Sequence, residues 1–527
     1  MRNTLYMLCI LILALITGFF WGTRWEKNIW FSSENGKAQA KLNRLIRYVG
    51  ERYVDKVDID SLSTEVIQEI IGRLDPHTVF IPNEERQSIA ETMQGNFVGI
   101  GVSFYMVGDT VSVVRVLEGG PSEAAGVLPG DRILKADQDT LYSQGLNSNQ
   151  IVSKLKGVPE SEVALEFYRP QTDSLFVLPI QRGEVPIKSV NAAFSVSQST
   201  GYIKINRFAS TTYDEFIAAL KSFDLYETEN LILDLRDNPG GYLIQAQRIA
   251  DVFLEENLPI VITESNKGVR QRTVASDTGG FETGGVYILV NEQSASAAEV
   301  LAGALQDNDR AWIVGRRTFG KGLVQQQLPL GDGDAIRLTT ARYYTPTGRS
   351  IQRPYTQNKA AYYDEITQRY DRGEMADEEN VPYNDSLAFL TPKGRKVYGG
   401  GGIYPDIYVP NTNTRDQQWD DYLLRSNLMN HFVFTTLDQD RGDFEFPEEK
   451  EFMETPLANQ KRWLQDFKTY CKNNGIPLQV SNKERIVNAI KAYLGLQLYG
   501  ENCHIKILMQ QDSFLKKALN HQKNTDE

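Results

Sequence analysis

The apolar positions of this 527-residue chain change period several times along its length. An uncharged run covers 3–23, and its centre, LYMLCILILALITGFFW, is long enough to cross a ~30 Å hydrocarbon layer with modest thinning. Beyond it Leu42, Leu45, Ile46, Val49 and Tyr53 recur at helical spacing, and Leu62, Val66, Ile70 and Leu74 repeat the pattern. This predicts two amphipathic helices in a segment spanning 35–90, the second ended by the turn DPHT at 75–78. Over 94–170 the pattern shifts to short β-rich runs such as VSVVRV and ALEFYR, broken by glycines, with one helical stretch near 151–155, which reads as a small separate β-domain. Between 190 and 410 strands alternate with helices: GYIKINRF, a helix at 216–223, LILDLRD, a helix at 244–253, VYILV, a helix from Ala297, and WIVG. That alternation argues an α/β core. Within it the polar, charged stretch 357–395 reads as a surface insertion, and 399–402 as a flexible joint. Residues 411–527 scatter apolar positions among Lys, Gln, Asn and Asp and are expected to be mostly helical.

Length and composition narrow the picture. A chain of this size exceeds a single hydrophobic core, so several domains are expected. The net charge of −12, without a long basic run, excludes the electrostatic footprint of a nucleic-acid binder. Of three cysteines, Cys9 lies in the apolar run, which rules out a cysteine-built metal site and leaves Cys471 and Cys503 as the candidates for a disulfide. The run itself, expected within 1–24, ends in Phe19, Phe20 and Trp21, bulky residues that suit a membrane interface better than an A-x-A-like cleavage site. It reads as an uncleaved signal anchor. Arg2 favours an inside N-terminus, while Arg24 and Lys27 on the far side oppose it. The expected place is therefore the inner membrane, single-pass, with the body of the chain in the periplasm or another extracytoplasmic space. A cleaved signal peptide would export the body too.

The run VYILVNEQSASAAEVLAGALQD places Ser296 where a buried strand passes into a helix. Its hydroxyl would project beside unpaired backbone N–H groups, as an oxyanion hole requires. A helix N-cap serine explains this run equally well. The supply of bases bears on the choice, because the four histidines, His77, His431, His504 and His521, all fall outside the α/β core. Lys321 instead lies 25 residues after Ser296, in GRRTFGKGLVQQQ, just beyond the next predicted strand. A lysine can deprotonate serine only if its pKa of ~10.4 is lowered toward neutrality, which burial can do. Gly320 and Gly322 would let its backbone sit tightly, and Gln325 could accept a hydrogen bond from the amine. Two rival readings exist: an ordinary surface lysine, and a P-loop, since 315–321 matches GxxxxGK. Gly322 stands where a P-loop needs Ser or Thr. The run DLRDNPGG serves as a tight strand-to-helix turn. Functionally it would offer the N–H of Gly241 as one oxyanion donor, with that of Ala297 as the other.

Taken together, SASAAE around Ser296, RTFGKGLVQ around Lys321, DLRDNPGG, YYTPTGRSIQ at 343–352 and GGIYPDI at 401–407 resemble the carboxyl-terminal processing, or tail-specific, proteases over about 42–409. The resemblance implies a crotonase-like α/β protease core over 190–410 and a Ser296–Lys321 dyad assisted by Gln325. It implies oxyanion donors at Gly241 and Ala297, and no metal or organic cofactor. Phe97, Val98, Gly99, Ile100 and Gly101 resemble a PDZ carboxylate-binding loop, and PSEAAGVLPGDRIL at 121–134 supports an inserted β-rich PDZ domain that captures the C-terminal tail of a protein substrate. The expectation is a membrane-anchored serine endopeptidase with helical regions at both ends, which leave room for a homodimer. A non-catalytic PDZ scaffold on a degenerate protease fold is the alternative, and the intact Ser, Lys and Gln set stands against it. The insertion 357–395 and the helical region 411–527 depart from the minimal family pattern.

Overall fold

A computed structural model describes residues 35–224, 227–355, 359–411, 419, 422–424, 426–439, 448–476 and 482–526. The expected anchor within 1–24 lies outside the described residues, among which no helix is long and apolar enough to cross a membrane. The chain divides into two compact units at residue 80. The first holds helices α1 (Asn35–Arg52) and α2 (Ile59–Gly72), and strand β1 (Val79–Ile81) follows. Asp58 caps α2 by accepting the N–H groups of Asp60 and Ser61.

The second unit opens with α3 (Asn83–Gln94), a helix with no buried residue and hence no apolar period to betray it. The β-domain follows: β2 (Asn96–Gly99), β3 (Val102–Val107), β4 (Thr110–Val116), α4 (Pro121–Ala124), β5 (Arg132–Ala136), β6 (Asp139–Thr140), α5 (Ser148–Leu155), β7 (Glu162–Arg169), β8 (Ser174–Gln181) and β9 (Gly183–Pro186). Its sheet runs β3-β4-β5-β7-β8, with β6 on β5 and β2 paired to β9. The domain therefore continues past the boundary expected at 170, because β8 pairs residue for residue with β7 and β9 closes on β2. Val163, Leu165 and Phe167 alternate into a core with Val111, Ile133 and Ile151.

The α/β core contains β10 (Val190–Ser197), β11 (Thr200–Ile205), α6 (Thr212–Lys221), β12 (Asn230–Asp234), α7 (Leu243–Asp251), β13 (Pro259–Ser265), β14 (Arg270–Val274), β15 (Gly285–Val290), α8 (Ala297–Asp307), β16 (Trp312–Gly315), β17 (Leu323–Gly331), β18 (Asp334–Tyr344), α9 (Lys359–Asp371), β19 (Ala388–Leu390), β20 (Lys396–Tyr398) and β21 (Ile407–Tyr408). The main sheet is ordered β10-β11-β12-β15-β16-β21 and is parallel from β11 onward. Parallel strands must be covered on both faces. Leu231, Leu233, Val286 and Ile288 pack with Phe216, Phe253 and Leu301 on one face. Ile232, Tyr287, Leu289 and Val314 turn to the other, where Phe514, Leu515 and Ala518 cover them. A second, antiparallel sheet joins β17, β18, β13 and β14.

The covering residues belong to the C-terminal helices α10 (Asn427–Gln439), α11 (Glu449–Glu454), α12 (Gln460–Asn473), α13 (Lys483–Tyr499), α14 (Glu501–Met509) and α15 (Ser513–Asp526). Helices α10 to α14 share a core around Phe432, Trp463, Phe467 and Ile490. Cys471 and Cys503 are buried there as free thiols, so the bridge left open by the sequence does not form. Burial pushes their pKa values to about 11 and about 12, which leaves both as protonated apolar packing groups. The same helices hold the β-domain: Arg132 pairs with Asp438, the Tyr105 hydroxyl donates to Asn427 at 2.5 Å, and Arg115 meets Glu501 at 3.1 Å. Their apolar faces are thus spent inside the chain.

Candidate active site

Ser296 follows the end of β15 and immediately precedes α8. Its backbone sits at φ +58, ψ −115, whereas an ordinary N-cap lies in the extended region. The loop before it is pinned to the turn after β12. Ser294 Oγ donates to the Leu235 carbonyl at 2.7 Å, Asn291 Nδ2 donates to Asp237 at 2.8 Å, and the Ala295 N–H donates to the Asn238 carbonyl at 2.9 Å.

That turn carries Gly240 and Gly241, and both must be glycine. Gly240 has φ +97, and a Cβ there would stand 2.7 Å from Ser296 Cβ and 2.9 Å from the Ala297 nitrogen. Gly241 has φ +147, and its Cβ would stand 2.2 Å from the Phe208 carbonyl oxygen. The turn is thus pressed against the start of α8. Among the described residues the N–H groups of Gly241 and Ala297 have no acceptor in the chain. Asp234, at the end of β12, accepts from Tyr202 at 2.6 Å and from Arg236. Its burial would raise its pKa, but Arg236 and Lys204 overrule burial and hold the carboxyl well below its usual range. Arg236 also reaches Asp512 at 2.7 Å, tying the turn to the C-terminal helices.

Lys321 lies between β16 and β17, partly exposed, and its Nζ donates to Gln325 Oε1 at 2.8 Å. Two residues that the sequence reading passed over hold Lys321 and Ser296 together. Glu299, fully buried in α8, accepts from the N–H groups of Ser296 at 2.8 Å and Lys321 at 2.9 Å with one oxygen. Its other oxygen accepts from the Thr318 hydroxyl at 2.5 Å and the Gly320 N–H at 2.7 Å. Burial pushes the Glu299 pKa up while these donors pull against it. The Tyr343 hydroxyl, also buried, lies 2.5 Å from the Lys321 carbonyl and 3.2 Å from that of Ser296. A signal for Glu299 was present, since it stands three residues after Ser296, the spacing of a capping box. For Tyr343 only its place in YYTPTGRSIQ pointed anywhere.

The β-domain carries a groove of about 270 Å³ whose wall includes Phe97, Gly99, Ile100, Gly101, Val152 and Leu155. Val98 is not part of that wall. Gly101 has φ +80 with the Gly120 backbone against it, so its turn admits no side chain without strain. At the rim, Lys156 donates to Glu91 of α3 at 2.5 Å. The groove and the Ser296–Lys321 cluster are therefore separate sites, on the β-domain and the α/β core respectively. Among the described residues no group of three or more His, Cys, Asp or Glu side chains could hold a metal ion.

Comparison with known proteins adds a second line. The profile of peptidase family S41 matches 199–359, a span that contains Gly241, Ser296, Ala297, Lys321 and Gln325. A PDZ domain profile matches 98–180, and a family of unknown function matches 421–500. The chain is 32% identical over 324 residues to the carboxy-terminal processing protease CtpB of Bacillus subtilis, covering 61% of this chain and 67% of that protein. It is 35% identical over 321 residues to the carboxy-terminal-processing protease of Bartonella bacilliformis, covering 60% and 73%. Among solved structures it is similar to the photosystem II D1 C-terminal processing protease, at 24% identity over 71% of this chain and 88% of that one. The TM-score is 0.37.

Proposed function

The chain belongs to peptidase family S41 as a serine-type, carboxy-terminal processing peptidase with a PDZ domain, and on that premise we propose that it cleaves by a Ser296–Lys321 dyad. Ser296 Oγ attacks the scissile carbonyl carbon while the Lys321 amine, uncharged at the working pH, takes the hydroxyl proton. The N–H groups of Gly241 and Ala297 receive the oxyanion of the tetrahedral intermediate. Lys321 then delivers its proton to the leaving amine. Water, deprotonated by the same lysine, releases the acyl chain from Ser296. Gln325 Oε1 orients the lysine amine throughout. The observation that carries this reading is that one buried carboxylate, Glu299, and one buried phenol, Tyr343, each bond the main chains of both Ser296 and Lys321.

In the same reading the core is crotonase-like, supported by its parallel sheet with a reactive serine at the strand-to-helix junction after β15. The β-domain groove takes the free C-terminus of a protein substrate. The backbone N–H groups around Gly99 to Gly101 would receive its carboxylate, and Ile100, Val152 and Leu155 would contact its last side chain. The uncharged run at 3–23 would tether the enzyme to the inner membrane, with its catalytic body in the periplasm.

A serine-directed phosphonate tests the mechanism. The adduct should map to Ser296 by mass spectrometry, vanish in Ser296→Ala and form slowly in Lys321→Ala. Continued cleavage of a tail-bearing unfolded substrate by Ser296→Ala would sink the mechanism. An undiminished labelling rate in Lys321→Ala would sink the base assignment alone.

A further inference from the structure

The stretch 357–395, read from its charge as a surface insertion, is in part buried, and what it buries is aimed at the Lys321 segment. Arg369 of α9 is fully buried. Its guanidinium donates to the carbonyls of Arg317 at 3.0 Å, Thr318 at 2.9 Å and Phe319 at 3.5 Å, three consecutive residues that lead into Gly320 and Lys321. Glu365, one turn earlier on α9, holds that guanidinium at 2.9 Å and also takes Arg353 at 2.6 Å. Glu374 closes the cluster by pairing with Arg317 at 2.6 Å. Arg353 in turn lies 4.1 Å from the ring of Phe319 and 3.9 Å from that of Tyr362, itself on α9.

The backbone of this segment can be accounted for group by group. The N–H groups of Gly320 and Lys321 go to Glu299 and the Lys321 carbonyl meets Tyr343. The Gly320 carbonyl accepts from the Arg353 N–H, and the Gly322 carbonyl from the Tyr343 N–H. The Gly322 N–H goes to Gln352. The carbonyls of residues 317 to 319 accept from Arg369. The sheet cannot serve them, because the segment has left β16 and has not yet entered β17. A buried carbonyl without a donor is costly, so the guanidinium helps to set the path of a segment whose N–H groups at Thr318 and Phe319 go to the carbonyls of Ile403 and Ser294.

We infer that α9 is a positioning element for the general base, in which Arg369 gathers three successive carbonyls and so sets where Lys321 stands relative to Ser296. This rests on the reading of Lys321 as base. Arg369 lies beyond the span that the S41 profile matches, which ends at residue 359. Arg369 touches no reacting atom; it acts through the lysine.

The test is a double-mutant cycle on the full chain, with wild type, Arg369→Gln, Lys321→Ala and the double variant compared by phosphonate labelling rate and peptide turnover. Arg369→Gln should lower kcat and the labelling rate about tenfold to a hundredfold with KM unchanged. On the Lys321→Ala background the same change should add no further slowing, because its route runs through the base. Equal slowing on both backgrounds would mean general damage and overturn the proposal, as would a wild-type rate in Arg369→Gln. A wild-type labelling rate in Lys321→Ala would instead overturn the base reading on which the proposal stands. Should Arg369→Gln not fold, Arg369→Lys keeps the charge but cannot span three carbonyls. It should fold and still lose kcat, and full activity in that variant would overturn the proposal.

Discussion

Replacing Glu299 by glutamine exchanges one carboxylate oxygen for an amino group inside a closed site. The carboxylate accepts four hydrogen bonds, two on each oxygen. An amide keeps one accepting oxygen, so two of the four donors must face NH₂ whichever way it is turned. With the oxygen kept toward Ser296 and Lys321, the only N–H stranded is that of Gly320, while the Thr318 hydroxyl, which also accepts from the Ile403 N–H, turns its own proton away. The reverse orientation strands the N–H groups of both Ser296 and Lys321. A buried donor without a partner costs ~1–3 kcal/mol, so the better orientation costs about that much and the worse about twice it. In a core of this size each kcal/mol moves Tm by ~2–4 °C, which gives an expected fall of about 2–12 °C. Relief of the burial that pushes the Glu299 pKa up offsets part of this. Catalysis should suffer more than stability. The main chains of the proposed nucleophile and base share this one acceptor, and a displacement of about 1 Å can cost on the order of a hundredfold in kcat. Calorimetry and phosphonate labelling of wild type, Glu299→Gln and Glu299→Ala measure both quantities. A Glu299→Gln protein with the Tm and labelling rate of wild type would refute the claim that the shared carboxylate holds the site.

Further tests reach other parts of the molecule. Gly241→Ala would place a Cβ 2.2 Å from the Phe208 carbonyl oxygen, so it should displace the proposed oxyanion donor and cut acylation on the order of 10²- to 10³-fold; an active variant would remove Gly241 from the mechanism. Burial alone would raise the Glu365 pKa, but Arg369, Arg317 and Arg353 pull it down to about 2, against 4.5 for a free glutamate. Because the folded value is the lower one, its contribution is present above pH ~4.5 and lost as pH falls toward 2. The stability gap between wild type and Glu365→Gln should therefore close across that window, and a gap independent of pH would contradict the assignment. Val152→Glu, in the wall of the β-domain groove, should weaken binding of a peptide with an apolar C-terminal residue by at least about tenfold in fluorescence anisotropy, with small-ester turnover kept. Tight binding by the variant, or undiminished binding of a C-terminally amidated peptide to wild type, would exclude tail recognition through this groove.

Much of the candidate site was legible because its signals are local. Ser296 stands where a buried strand meets a helix, Gly240 and Gly241 stand where backbone approaches backbone, and Gln325 stands four residues from Lys321. Each of these depends on neighbours in the chain. The period of the apolar residues likewise announced the alternating core, since backbone geometry dictates which positions share a face, whereas the C-terminal region was expected to be helical without a clear period. Helix α3 stayed hidden because it buries nothing and so has no apolar period.

The tertiary structure alone decided which partners the charged residues have. By composition 357–395 belongs on the surface, yet Arg369 is fully buried, because the carbonyls that satisfy it come from a segment some fifty residues earlier. The C-terminal region was readable as helices. That Asp512 would reach Arg236, 276 positions away, and that α15 would cover the second face of the parallel sheet, was not. A hydropathy pattern records what a residue would lose on leaving water, whereas the donors and acceptors that replace that water are supplied by residues remote in the chain. The amino-acid sequence by itself therefore determined most of the elements of this protein and pointed to the proposed Ser296–Lys321 pair. The folded chain decided what holds that pair in place.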